Sequence, residues 1–127
     1  MKKYSLILIL FFTIIFSLLP SKAQTWMSTT SINCEWSDSL QKPINCQNYI
    51  NPVSITYYNN IFYLLDLNTE KIFSYNTHFY SNTEGMLTYI EETADYIIML
   101  SVTDSFVLCT IITKQTKRTN LNYYFID

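Results

Sequence analysis

The stretch VSITYYNNIFYLLDL, residues 53 to 67, constrains this chain more than any other. β-Branched and aromatic residues flank an Asn-Asn pair. Asn tolerates the left-handed backbone conformation, so Asn59-Asn60 can close a two-residue hairpin turn. That turn predicts a register: Tyr57 faces Phe62, Ile55 faces Leu64 and Val53 faces Asp66. One side of the pair is then almost wholly apolar. The other carries Ser54, Thr56, Tyr58 and Tyr63 and can face water, because successive side chains alternate across a strand.

The following segment, LDLNTEKIFSY, closes at Asn68 to Lys71 and predicts Leu67 beside Ile72 and Asp66 beside Phe73. Phe73 and Tyr75 then share the face of Phe62 and Leu64. A slip of one residue would reverse every one of these positions. A polar loop is expected over 76–85. MLTYIEE and DYIIMLSV then form a pair around Glu92-Thr93-Ala94-Asp95, SFVLCTIIT follows a turn at Thr103-Asp104, and NLNYYFI follows a basic turn at Lys114 to Arg118. Short runs at this spacing predict an all-β fold, an antiparallel meander of six to seven strands forming a sandwich or small barrel. The pair Tyr96 to Val102 and Phe106 to Ile112 is apolar on both faces and is expected at its buried centre. A helix over residues 86 to 101 is the rival reading, because Met86, Leu87, Ile90, Ile97, Leu100 and Ser101 loosely fit helical spacing.

Residues 1–23 read as a secretory signal peptide. Lys2 and Lys3 precede an apolar run from Ser5 to Leu19, Pro20 breaks it, and Ser21-Lys22-Ala23 presents small residues at a cleavage site. The run is shorter than the ~20 apolar residues of a membrane-spanning helix. No later stretch approaches that length, so no stable membrane span is expected after processing. The mature chain, Gln24 to Asp127, reads as a single β-rich domain. Residues 24–52 are its polar lead-in strand and long loop, and 53–127 its strand meander. Removing Lys2, Lys3 and Lys22 leaves five Lys and Arg against ten Asp and Glu, a net charge of −5. A nucleic-acid partner would require a basic stripe, and none is expected. The abundance of Asn, Ile and Tyr is what an AT-rich genome encodes, and the lack of an N-x-S/T sequon leans toward a bacterial source.

Export places the chain in an oxidising compartment, periplasmic or extracellular, where disulfides persist. Cys34 and Cys46 stand twelve positions apart around Trp36, without C-x-x-C spacing or a nearby histidine. A zinc site needs four ligands with paired short spacings. A staple closing the 32–48 loop is the favoured reading, with a bridge from Cys109 to either partner as the alternative. Cys109, in FVLCTII, otherwise reads as a small buried hydrophobe.

Catalytic signals are sparse. His78 is the only histidine and has no partner motif. Glu91, Glu92 and Asp95 form an acidic turn without the alternating ligand pattern of a calcium loop. Asp66 is the carboxylate that the hairpin register brings to the end of the apolar face. No glycine-rich phosphate loop is present, Gly85 being the single glycine. The Gly-x-Trp mark of lipocalins is also missing. No cofactor, metal or enzyme activity is expected. The sequence points instead to a non-catalytic binding or interaction module at the bacterial cell envelope. Its candidate contact residues are Trp36, Tyr58 and Tyr63, and its partner an envelope protein. The alternative is a barrel-type carrier of a small apolar ligand, whose inward positions would be lined but not filled.

Overall fold

The computed structural model describes residues 23–127. The signal segment read at residues 1–23 therefore lies, apart from Ala23, outside the described residues. Nine antiparallel strands make up the rest: β1 (Gln24–Ser37), β2 (Lys42–Tyr58), β3 (Ile61–Asp66), β4 (Ile72–Asn76), β5 (His78–Thr83), β6 (Met86–Glu92), β7 (Tyr96–Val102), β8 (Phe106–Thr113) and β9 (Thr119–Phe125). They form one sheet in the order β4-β3-β2-β1-β9-β8-β7-β6-β5. The sheet curls into a nearly closed barrel.

The all-β expectation holds, and the strand count rises from six or seven to nine. Two corrections account for the difference. Residues 24–52 are not a lead-in and a long loop but β1 and most of β2, the two longest strands. Their polar side chains hid them. β1 pairs with β2 along most of its length and, over Ser31 to Glu35, with β9 as well, so the ladder holds its backbone whatever its side chains. The polar loop expected at 76–85 is likewise β5, joined to β6 by a tight turn at Glu84 and Gly85, both at positive φ. The 86–101 segment is two strands, β6 and β7, with Thr93 to Asp95 as their turn.

The Asn59-Asn60 hairpin has the register read from its sequence. Tyr57 pairs with Phe62, Ile55 with Leu64 and Val53 with Asp66. Both Asn residues lie in the left-handed region, at φ 53° and 67°, as a turn matching strand twist requires. The β3–β4 register differs by two residues: Leu64 pairs with Phe73 and Phe62 with Tyr75. The turn is longer than expected because the Asp66 carboxylate accepts the Asn68 and Thr69 N–H groups and tightens the chain there. A two-residue shift preserves the face, so Phe73 and Tyr75 still stand on the side of Phe62.

The core shows that the sheet closes on itself. Val53, Ile55, Phe62 and Leu64 from β2 and β3 pack against Ile98, Leu100 and Val102 of β7 and Val107 and Cys109 of β8. Those strand pairs are far apart in the sheet order. Aromatic contacts also cross the interior, with Tyr89 of β6 lying 4.8 Å from Tyr57 and 5.2 Å from Phe62 between ring centroids. β7 and β8 thus supply the core as expected, while β1 and β9 hold the middle of the sheet. Closure stops at β4 and β5. Among the described residues no ladder joins these two edges, although Thr77 alone separates them in sequence. Thr77 is buried, and both its N–H and its hydroxyl donate to the Asn60 carbonyl, at 2.8 and 2.9 Å.

Candidate ligand-binding cleft

Irregularities in β1 divide the barrel interior into a filled end and an open one. Trp26 packs against the core, and Ser28, opposite Val53, is almost fully buried. Between Ser28 and Thr30 the β1–β2 register shifts. A bulge of this kind changes which residues face inward, and beyond it Ser31 and Asn33 line the interior. Asp127 braces the bulge: its N–H donates to the Met27 carbonyl, and its carboxylate accepts the Thr29 hydroxyl and N–H.

Past the bulge, the concave face of β4-β3-β2-β1-β9-β8 encloses an open cleft of about 630 Å³. Val53, Leu64 and Ile111 form apolar wall, and Tyr49, Phe73, Tyr75 and Tyr124 contribute aromatic rings. Ser31, Asn33, Asn51, Asn122 and Asp66 supply the polar groups. Asn33 donates from its side-chain amide to Asn122 Oδ1 across the β1–β9 pair. A concave, largely apolar site with a few placed polar groups is the usual form of a small-molecule site, and the volume lies in its range.

Asp66 sits at the rim. Asn51 Nδ2 donates to its Oδ2 at 2.9 Å, while Oδ1 accepts the N–H of Asn68 at 2.9 Å and of Thr69 at 3.2 Å. The Asn51 bond foremost, then those from the turn, hold its carboxyl below the usual carboxylate range. It is ionised at neutral pH. Deeper in, burial pushes the Tyr124 hydroxyl up to about 12 and raises Tyr75 further still, with the nearby Cys109 adding to both. These phenols stay neutral and line the cleft with their rings. Burial likewise raises the Cys109 thiol to about 12, so no thiolate nucleophile forms there.

The residues singled out from sequence are dispersed. Tyr58 and Tyr63 lie together on the outer face of β2–β3, Tyr63 exposed. Trp36, half-buried and opposite Pro43, is at the other end of the β1–β2 ladder, beside Arg118 and Thr119. The three do not share a surface. Cys34 and Cys46 are disulfide-bonded, Cys109 being free and buried. The bond is a rung between β1 and β2 rather than a clasp on a loop. It sits where the ladder shifts register and Asn45 takes positive φ. His78 begins the exposed edge strand β5. The acidic trio is split: Glu92 points out and pairs with Lys114 at 2.9 Å, while Glu91 follows the inner-face register opposite Ile98. Among the described residues no group of His, Cys, Asp or Glu is placed to hold a metal ion. No described helix is long and apolar enough to cross a membrane.

Asp66 is the one cleft residue that the sequence had marked. Ser31, Asn33, Asn122, Tyr75 and Tyr124 were missed as a site. The available signal was the run of small polar residues at alternate positions in β1 and β9, legible only once both are known to be adjacent strands. Compared with family models, curated proteins and solved structures, the chain matches none.

Proposed function

We propose that the mature chain is an exported, non-catalytic binding protein of the bacterial cell envelope, and that its barrel cleft takes a small ligand with an apolar body. The observation that carries this reading is the half-filled interior. The core runs up to Val53 and Leu64, with Tyr75, Ile111 and Tyr124 packed against it, and beyond these residues the interior opens into a cleft that Tyr49 and Phe73 also line. A folding core alone has no use for an unfilled concave face, since voids lose packing contacts. The layout of residues 1–23 supports export, and the Cys34–Cys46 disulfide is compatible with an oxidising, exported location.

Titration of the mature protein with a hydrophobic fluorescent probe tests the reading. One probe per chain is expected, displaced by lipid extract. Ser31→Phe, which fills the cleft, should abolish binding without lowering the melting temperature by more than a few degrees. Equal probe binding by this variant would refute the assignment. A second reading, contact with an envelope protein through the outer face, is favoured by the adjacency of Tyr58 and Tyr63. Pull-down from envelope extract that is lost on Tyr63→Ala, yet unaffected by Ser31→Phe, would support it instead.

A further inference from the structure

We propose that the cleft selects an organic cation, an ammonium group carried on an apolar body; this deepens the ligand-binding reading above and rests on it. The charge balance of the lining comes first. Among the described residues Asp66 is the one charged group of the lining, and no Lys, Arg or His contributes to the wall. An anionic ligand would meet a carboxylate and no counter-charge. A cation would find one within reach of its entry path.

The aromatic residues supply the second argument. Tyr49, Phe73, Tyr75 and Tyr124 line the same cleft as Asp66. The negative face of each ring attracts a cation within about 6 Å, an interaction that strengthens where water is excluded. Tyr75 and Tyr124 are close enough to act on one another electrostatically, and Asp66 acts on Tyr124. The rings and the carboxylate therefore converge on one region. The Tyr75 and Tyr124 hydroxyls are neutral and add no positive charge.

An unpartnered acceptor is the third observation. Glu91 Oε2 is buried and has no hydrogen-bond partner among the described residues. Glu91 stands opposite Ile98, which in turn stands opposite the cleft residue Ile111, and it lies near enough to Tyr75 to act on its hydroxyl. A buried carboxylate oxygen without a partner is costly. Glu91 itself does not line the cleft, so it stands behind Tyr75 and makes no contact with the ligand. The cleft is larger than a trimethylammonium head alone, so Val53, Leu64 and Ile111 remain to cover an apolar body.

Equilibrium dialysis of the oxidised mature protein against benzyltrimethylammonium, its neutral carbon isostere neopentylbenzene, and phenylacetate tests the proposal. The cation is expected to bind about tenfold or more tighter than the isostere, with phenylacetate not retained. Raising the salt concentration should weaken the cation and leave the isostere unchanged. Asp66→Asn should remove most of the preference. Because Asp66 also holds the β3–β4 turn, Phe73→Leu at an exposed edge position gives an independent readout, weakening the cation several-fold more than the isostere. Equal binding of cation and isostere, or tighter binding of phenylacetate, would overturn charge selection while leaving the cleft as a ligand site. Retention of none of the three would overturn the cleft reading as well.

Discussion

Identical faces do not give residues identical weight. Phe62 and Phe73 point to the same side of the sheet, yet Phe62 is fully buried and Phe73 is 54% exposed. Phe73 lies on β4, an edge strand whose open side has no neighbouring strand to cover it. Phe62→Ala should therefore cost about 3–5 kcal/mol. Phe73→Ala and Tyr63→Ala should each cost about 1 kcal/mol or less. Urea unfolding of the three variants checks the order, and a large loss at Phe73 would mean that β4 is covered. The hairpin turn supplies a second residue-scale outcome. Asn59 holds φ 53°, where a β-branched side chain is strained and glycine is not. Asn59→Val should lower stability by about 1–2 kcal/mol, and Asn59→Gly should be close to neutral, both read from thermal unfolding.

Among the elements, β1 and the first part of β2, residues 42–52, were the least legible, and they matter most to the site. A polar strand is invisible to apolar periodicity, and SerThrThrSer reads as loop on composition alone. What makes it a strand is its ladder with β2, joined from Ser31 onward by pairing with β9 on the other side. The Cys34–Cys46 bond takes on a different role for the same reason. It lies within the central ladder, with Cys34 buried opposite Leu121. Reduction should lower stability by up to about 3 kcal/mol. It should also speed amide exchange in the β1–β2 ladder near residues 33–36 and 43–47, more than in the β7–β8 pair. Hydrogen exchange with and without reductant measures both. Faster exchange confined to the 38–41 turn would return the bond to the role of a loop clasp.

For the molecule as a whole, the interior sets the response to pH. Cys109 is buried and Tyr75 and Tyr124 are half-buried, all in neutral form, each raised above its ordinary value chiefly by loss of solvent. A group whose folded value is raised contributes stability that is full below its unfolded value and lost as pH climbs toward the folded one. The unfolded values are near 9 for the thiol and 10 for the phenols. Stability should therefore be level from pH 6 to 8.5 and fall steadily between about pH 9 and 12. On the acid side, Asp66 and Glu92 are lowered, Asp66 mainly by Asn51 and Glu92 by Lys114. Their contribution is present above the ordinary carboxylate range and fades as pH drops through it, and their exposure keeps it small. Melting temperature across pH 3 to 12 gives the profile. A maximum above pH 10 would contradict the buried, neutral interior.

What the sequence determined by itself is local. It specified the all-β class, the Asn59-Asn60 turn with its register, the turns after Glu92 and Thr113, and the pairing of Cys34 with Cys46 as the favoured bridge. Each depends on residues close in the chain, where turn chemistry and alternation act directly. The tertiary structure decided what depends on neighbours distant in sequence. β1 becomes a central strand because β9 returns beside it, and Ser31, Asn33 and Asn122 become a cleft wall only through that pairing. Phe73 is exposed because the sheet stops at β4, and Glu91 turns inward because β6 lies across the barrel from β2 and β3. Closure of a sheet is a property of all its strands together, and no window of the sequence contains it.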